Sequence, residues 1–271
     1  MLLCVDVGNS QTAVGLFEGE RLVRTWHVAT EERRTADEWV VLLRGLLREV
    51  PDAVGAEEGL QRAGLPVTGI AVCSTVPMVL HEIRQVLERS FAAVPHLVVE
   101  TGVRSGVPVH MDNPREVGTD RIVNALAAST LFGGPAIVVD VGTATTFDVI
   151  SARGEYVGGA ISPGIEISLE ALAARGAQLR RVELTRPRAV IAKNTVEALQ
   201  SGAVFGFAAQ IDGIVTRMVH ELGSPRAEVT VVATGGLAPV VLAECSQVDR
   251  HEPDLTLIGL RLVFERNCTK A

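Results

Sequence analysis

The chain has 271 residues, 47% of them apolar, which is enough for one large domain or two of ordinary size. Its formal net charge is −7 and no Lys/Arg stripe is interleaved with aromatic residues, so nucleic-acid binding is disfavoured. No apolar run reaches the roughly 18 residues of a membrane span, and the first residues lack the basic segment of a signal peptide. We therefore expect a cytoplasmic protein without membrane contact.

The cysteines and histidines do not form a metal-binding pattern. The four cysteines have no CxxC pairing, and the six histidines form no HxH or HxxxH pair. We therefore expect buried, reduced thiols and no zinc site.

The first hundred residues alternate between predicted strands and helices. Apolar runs bounded by turn residues predict five strands, at 2–7, 12–17, 21–28, 69–73 and 97–99. Thr35 and Glu38 form a capping box before a helix whose apolar residues share one face. Ser74 and Thr75 are expected to cap a second helix that ends near Arg89. The residues 51–66 are expected to form a loop.

The second half contains another hairpin and several helices. The segment 110–121 is rich in Asp, Asn, Pro and Gly, which predicts a loop or a domain junction. Asp120 is expected to start a helix that runs to Phe132 and ends at the glycines that follow. The remaining elements are expected to be strands at 136–141, 145–150 and 229–234, and helices at 165–175, 195–222 and 255–266.

The tetrapeptide VDVG occurs twice, at 5–8 and at 139–142, each time at the end of an apolar run. With one inserted residue, the sequence after the first copy aligns with the sequence after the second. The alignment matches Thr12 with Thr146 and also matches the Gly-Glu of the two hairpins. The spacing is too long for a solenoid repeat and predicts a duplicated domain.

The two Asp-Gly turns have the composition of a phosphate-binding site. Glycine lets the backbone approach a ligand, and successive N–H groups of a turn can bind phosphate oxygens. Asp6 and Asp140 could hold Mg²⁺ or its water shell. A single such turn could equally be an ordinary hairpin in which Asp caps its own backbone. The duplication, in a chain without a Walker A or GxGxxG motif, favours the phosphate site. Further side-chain donors follow the glycines, at Asn9, Ser10, Thr12, Thr143, Thr145 and Thr146.

Asp120 follows a Gly-Thr pair at the start of a predicted helix. Phosphoryl transfer to an alcohol needs a group that orients the hydroxyl and accepts its proton, and a carboxylate can do this. Asp is also a favoured N-cap residue, so the residue types alone allow either role. Arg121 could pair with a carboxylate of the substrate or could be an ordinary exposed arginine.

Three segments resemble the motifs of type III pantothenate kinase: DVGNS at 6–10, NPREVGTDRIVNA at 113–125 and DVGTATTFD at 140–148. The sequences GGAISPGI at 158–165, KNTVEALQSG at 193–202 and ATGGLA at 233–238 are also similar to that family. The resemblance covers essentially the whole chain, and the middle motif is its most specific part. It implies an α/β fold of the actin, sugar kinase and Hsp70 superfamily. Two duplicated ribonuclease-H-like (actin-like ATPase) domains, at 1–112 and 113–271, would have a nucleotide cleft between them.

The resemblance implies a role for each matching residue. Asp120 would be the general base, Asp6 would lie near Mg²⁺, and Asp140 would hold a monovalent cation, K⁺ or NH₄⁺. The expected contacts to the ATP phosphates are Asp6, Val7, Gly8, Asn9, Ser10, Gln11, Thr12, Ala13 and Thr143. The expected contacts to pantothenate are Gly118, Thr119, Asp120, Arg121 and Thr195, with Met111 as a pocket residue.

Met111 departs from the family pattern, because family members commonly have Tyr before the Asn-Pro segment. A hydroxyl contact is therefore absent there, and Met111 could line the pocket only by apolar contact. Two alternatives to a pantothenate kinase stay open: another small-molecule kinase of the superfamily, such as a sugar or acetate kinase, and a non-catalytic regulatory relative. The family also implies a homodimer, for which the long helix at 195–222 could provide the interface.

Overall fold

The computed structural model describes residues 1–50, 67–100, 102–175 and 182–268, and the predicted loop at 51–66 lies outside them. The chain divides into two compact units that are not continuous in sequence. Unit 1 comprises Met1–Gly106, Arg115–Val123 and Thr256–Ala271, and unit 2 comprises Val107–Pro114 and Asn124–Leu255. The predicted domain boundary after residue 112 stays a prediction.

Unit 1 contains a five-stranded sheet in the order β3-β2-β1-β4-β5. Strands β1, β2 and β3 are antiparallel, whereas β4 and β5 run parallel to β1. Helices α1 and α2 pack on this sheet through a core that includes the fully buried Trp39. The element bounds are β1 Leu2–Val7, β2 Gln11–Glu18, β3 Arg21–Ala29, α1 Ala36–Arg48, β4 Gly69–Ser74, α2 Pro77–Ser90 and β5 His96–Val98.

Unit 2 contains a second five-stranded sheet in the order β10-β9-β6-β7-β8. Strands β6, β7 and β8 are antiparallel, and β9 and β10 extend the sheet in parallel. Its core includes Phe147 and the apolar face of the long helix α5. The bounds are β6 Ala136–Val141, β7 Ala144–Ile150, β8 Tyr156–Pro163, α4 Ile165–Arg175, α5 Thr195–Leu222, β9 Thr230–Thr234, α6 Ala238–Leu242 and β10 Arg250–His251.

Two helices contain residues of both units. Helix α3, Thr119–Phe132, has its first turn in unit 1 and the remainder in unit 2. Helix α7, Leu255–Cys268, belongs to unit 1 from Thr256 onward. Among the described residues, no helix has the length and apolar character needed to cross a membrane.

The two sheets have the same strand order and the same pattern of directions, so the predicted duplication and the predicted ribonuclease-H-like fold are confirmed. The match of Thr12 with Thr146 is wrong. Thr12 pairs with Val7 in the first hairpin, and Thr145 pairs with Val141 in the second. The first turn therefore contains residues 8–11 and the second contains residues 142–144, which makes the second turn one residue shorter.

The elements agree with the predicted ones except at a few points. Both hydrogen bonds of the Thr35–Glu38 capping box are formed. The predicted cap of α2 is wrong, because the helix begins at Pro77 without a side-chain cap and Ser74 instead bonds to Val76 in a local turn. The short elements α6 and β10 were not predicted, since five and two residues give no periodic signal.

Helix α7 completes the packing of unit 1. Leu257 lies so close to β2 that a Cβ on Gly15 would come within 2.9 Å of its Cδ1 atom. Phe264 approaches β4 more closely still, since a Cβ on Gly69 would lie 2.4 Å from its ring. Glycine at these two strand positions therefore makes room for the helix.

Candidate active site

The first turn is formed by backbone hydrogen bonds at the end of β1. The N–H of Gly8 donates to the carbonyl of Gln11 at 3.1 Å, and the N–H of Thr75 donates to the carbonyl of Val7 at 3.0 Å. Asn9, Ser10 and Gln11 are exposed at the tip. The strand ends and an exposed turn thus present polar groups at one edge of the sheet, as a phosphate site requires.

Thr12 supports this turn from beneath. It is fully buried, and its hydroxyl is 2.8 Å from the hydroxyl of Thr30. The N–H of Thr30 also donates to the carbonyl of Ser10 at 3.1 Å. The Thr12 hydroxyl is therefore already hydrogen-bonded within the protein, and Val7 is also fully buried. The predicted contacts of these two residues to ATP stay predictions.

Asp6 lies beside Cys73, its direct neighbour on the parallel strand β4. The Cys73 thiol donates a hydrogen bond to Asp6 Oδ1 at 3.1 Å. The pKa of Asp6 is raised to about 7, because burial and, to a smaller extent, the nearby Asp120 carboxylate raise it by more than the Cys73 hydrogen bond lowers it. None of these groups is positively charged, so a cation such as Mg²⁺ would favour the ionised form of Asp6.

The raised pKa of Asp6 predicts a pH-dependent stability difference. The unfolded carboxyl has a pKa of about 4, so the folded protein binds the proton more tightly. Stability from this group is present below about pH 4 and is lost as the pH rises through about 7. The free energy of unfolding can be measured with urea, without nucleotide or Mg²⁺. We expect the free energy of unfolding of Asp6→Asn, relative to that of wild type, to rise by about 1–3 kcal/mol from pH 5 to pH 8. A constant or shrinking difference would contradict this.

Asp120 is the second residue of α3, so it lies inside the first turn of the helix and is not its N-cap. Burial raises its pKa, against the opposing effects of the Arg121 backbone N–H, the Arg121 guanidinium and its own N–H. Its Oδ1 atom is buried and has no hydrogen-bond partner within the described residues. A carboxylate with a raised pKa and an unpaired oxygen can accept a proton from a bound hydroxyl.

Gly118, which has no side chain, leaves space for the Oδ1 atom of Asp120. A Cβ at position 118 would lie 2.4 Å from Asp120 Oδ1, well inside contact distance. Gly118 also begins the hydrogen bonding of α3, because its carbonyl accepts from the N–H of Ile122 at 3.2 Å. The charge of Asp120 also raises the pKa of both Asp6 and Cys73, so these three side chains and Gly118 form one cluster in unit 1.

Two glycines, Gly164 and Gly235, lie close to the second turn, at residues 142–144 in unit 2. A Cβ on Gly164 would lie 2.3 Å from the Thr143 carbonyl oxygen, and a Cβ on Gly235 would lie 2.4 Å from Asp140 Oδ1. The Val141 carbonyl oxygen would be 2.5 Å from that same Cβ on Gly235. Two oxygen atoms thus converge beside Gly235, an arrangement that suits a cation with oxygen ligands.

Two predicted substrate residues are exposed in unit 2. Met111 lies beside β8, with its sulfur atom 4.0 Å from where a Cβ of Gly158 would be. Thr195 is the first residue of α5, directly after the N-cap Asn194, whose side chain accepts from the N–H of Glu197 at 2.9 Å. Their contacts to a substrate stay predictions.

Sequence reasoning missed several residues of these sites. Cys73 was treated only as a buried thiol, and Gly164 and Gly235 received no individual role. Asn124, one helical turn after Asp120, is fully buried, and neither its amide oxygen nor its amide nitrogen has a partner among the described residues. An unpaired buried amide costs free energy of folding and therefore calls for a functional explanation. The sequence could not show it, because hydrogen-bond partners are visible only in the structure.

The described part of the chain contains no group of three or more His, Cys, Asp or Glu side chains able to hold a metal ion by themselves. Mg²⁺ in kinases is typically bound by one or two carboxylates together with phosphate oxygens. Asp6 therefore fits Mg²⁺ bound with a nucleotide better than a metal held by protein alone.

The fold is shared with proteins of known structure. A protein from Campylobacter jejuni described as a Baf family transcriptional activator matches with a TM-score of 0.56 at 17% identity, over 97% of this chain and 98% of that one. Solved sugar kinases and a dehydratase activator with bound ADPNP also have this fold. At these identities the similarity shows the fold alone.

Sequence comparison gives the family. The family model described as type III pantothenate kinase matches residues 2–217. A type III pantothenate kinase of Streptomyces avermitilis is 62% identical over 270 residues, covering 100% of both chains. Another, from a Nocardioides strain, is 65% identical and covers 98% of this chain and 99% of its own length. The chain, with its two Asp-Gly turns and the buried Oδ1 atom of Asp120, belongs to the type III pantothenate kinase family.

Proposed function

We propose that this protein transfers the γ-phosphoryl group of ATP to pantothenate, giving 4′-phosphopantothenate and ADP in the first step of coenzyme A biosynthesis. The observation that carries the residue assignment is the cluster of Asp120 with Asp6 in unit 1, in a chain of this family. Asp120 has a raised pKa and an unpaired buried oxygen. Asp6 lies at the end of β1, beside the exposed turn.

In the proposed mechanism, Asp120 Oδ1 accepts the hydrogen bond of the substrate hydroxyl and takes its proton as the bond to phosphorus forms. The charge of Arg121 opposes protonation of Asp120 and also suits the carboxylate of pantothenate. The turn Asp6–Ala13 binds the phosphates, with backbone N–H groups as donors. Mg²⁺, which Asp6 would hold together with the nucleotide, supplies positive charge that offsets the charge of the phosphates.

Further assignments follow from the second unit. We assign Thr143 to phosphate binding, Asp140 to a monovalent cation, K⁺ or NH₄⁺, and Met111 and Thr195 to pantothenate. The convergence of Asp140 Oδ1 and the Val141 carbonyl near Gly235 supports the cation. An ADP-release assay in K⁺, NH₄⁺ and Na⁺ salts should show a preference among them that Asp140→Asn removes.

A homodimer and a cytoplasmic location belong to the same proposal. Helix α5 has an exposed row of small residues, Gly202, Gly206 and Ala209, which would let a second helix approach closely. Val190 and Ile191, which precede it, are 64% and 86% exposed. Sedimentation equilibrium of the purified protein is expected to give twice the chain mass.

The test of the proposal is ADP release by the purified protein with pantothenate, Mg²⁺ and K⁺. Release that depends on pantothenate, with a product carrying one added phosphate, supports it. A panel of sugars and acetate tests for another kinase activity. If ATP binds and no acceptor supports ADP release, the non-catalytic alternative is favoured. The presence of Asp6, Asp120, Asp140 and Thr143 argues against that alternative.

Asn124 gives a prediction that separates a binding role from a packing role. Replacing a buried unpaired amide with an apolar side chain of similar shape is neutral or stabilising for the fold. We expect Asn124→Leu to unfold at the same or a higher urea concentration than wild type, yet to lose roughly tenfold in kcat/KM because a polar contact to the ligand is absent. A variant that is destabilised but has wild-type kcat/KM would instead indicate a packing role.

A further inference from the structure

The thiol of Cys73 contacts the Asp6 carboxylate and has no part in the proposed mechanism. Its thiol is fully buried and donates to Asp6 Oδ1 at 3.1 Å. The two residues are separated by 67 positions and are brought side by side by the parallel register of β1 and β4. The contact therefore depends on the fold and on no local turn.

We propose that Cys73 is a positioning residue for nucleotide binding, which holds the Asp6 carboxylate in one orientation so that Asp6 Oδ2 is presented to the ligand. A thiol is a weak, uncharged donor. It can fix the direction of the carboxylate without neutralising it, so the charge of the ionised Asp6 stays available to the cation that accompanies ATP. A Lys or Arg in its place would compete with that cation.

The duplicated sheet supports this inference independently. Asp6 pairs with Cys73 across β1 and β4, and Asp140 pairs with Thr234 across β6 and β9. Thr234 is buried, with 2% exposure. Both copies therefore have an uncharged side chain with a hydrogen-bond donor next to the aspartate of the turn. The chemistry differs, thiol in one and hydroxyl in the other, and the capacity to donate is what the two positions share.

Cys4 offers a matched control. It is fully buried on β1, two residues before Asp6, and therefore faces the same side of the strand. Removing its thiol leaves a cavity of the same size as removing that of Cys73. Similar losses of stability are thus expected for Cys4→Ala and Cys73→Ala, so their difference in ligand binding isolates the hydrogen bond to Asp6.

The experiment measures MgADP affinity by calorimetry for wild type, Cys73→Ala, Cys73→Ser and Cys4→Ala. We expect Cys73→Ala to bind about tenfold more weakly, the effect of losing one hydrogen bond to a charged group. Cys73→Ser keeps a donor and should bind within about twofold of wild type, as should Cys4→Ala. Equal affinities for Cys73→Ala and Cys4→Ala, or no recovery in Cys73→Ser, would overturn the inference.

Infrared spectroscopy of the ligand-free protein provides a readout that does not depend on activity. The S–H stretching band absent in Cys73→Ala should lie at lower frequency than the band absent in Cys4→Ala, because a thiol that donates to a carboxylate has a weaker S–H bond. Addition of MgADP should shift the Cys73 band and leave the Cys4 band in place. A Cys73 band that is insensitive to MgADP would overturn the inference.

The inference rests on the proposed function, and the two fail differently. Wild-type protein that does not bind MgADP would reject the proposed function and the positioning role together. Wild-type protein that binds MgADP and phosphorylates pantothenate, with Cys73→Ala equal to Cys4→Ala, would reject only the positioning role.

Discussion

Asp120→Asn is expected to lower kcat for pantothenate phosphorylation by about 10²–10⁴-fold, the usual contribution of a general base. Asn has nearly the same shape but cannot accept the proton of the hydroxyl. The affinity for MgADP should stay within about twofold of wild type, because the nucleotide is assigned to the turn after β1. Steady-state kinetics and calorimetry measure the two effects separately.

The stability of Asp120→Asn serves as its control. Burial raises the pKa of Asp120, so the ionised carboxyl destabilises the fold at a pH above its folded pKa, and the neutral amide does not. The variant should therefore unfold at the same or a higher urea concentration than wild type at pH 8. A variant that keeps wild-type kcat would show that Asp120 is not the base. If the variant unfolds at a lower urea concentration than wild type, a loss of kcat would be explained by misfolding.

Gly118→Ala is expected to lower kcat by roughly 100-fold while leaving the fold intact. The new methyl group would lie 2.4 Å from Asp120 Oδ1. This oxygen is the end of a flexible side chain, so the carboxyl group moves and the backbone does not. A displacement of about 1 Å in a catalytic group can cost about two orders of magnitude in rate.

Gly45→Ala is the matched control for this substitution. A Cβ on Gly45, in α1, would have nothing within 4 Å. Alanine there should stabilise the helix by up to about 1 kcal/mol without affecting kcat. If Gly118→Ala kept the wild-type kcat, the position of Asp120 Oδ1 would not matter to the reaction; if it unfolded, the close contact would be a requirement of the fold.

The sequence predicted the elements with a strong periodic signal and the residues next to them. The strands of both hairpins, the capping box at Thr35 and the long helix α5 are local properties, because alternation, capping pairs and apolar faces are set by near neighbours. The start of α2 was missed because Pro77 at the first helical position outweighs the hydroxyls before it.

The candidate site was predictable in its residue types and not in its contacts. The repeated Asp-Gly turn pointed to Asp6 and Asp140, and the middle motif pointed to Asp120. The hydrogen bond from the Cys73 thiol to Asp6 depends on the register between β1 and β4. The close contact at Gly118 depends on the conformation of the Asp120 side chain. Sequence alignment also misplaced Thr146, because it put no gap between the VDVG tetrapeptide and the threonine, whereas the second turn is one residue shorter.

Unit 1 can complete its folding during protein synthesis only after helix α7 has been made. The strands of its sheet leave the ribosome first, but the residues that cover Gly15 and Gly69 are among the last to be made. Unit 2, which ends at Leu255, is already fully synthesised by then. Since units of this size generally fold as they become complete, we expect unit 2 to fold first and the nascent first sheet to stay accessible to chaperones until α7 emerges.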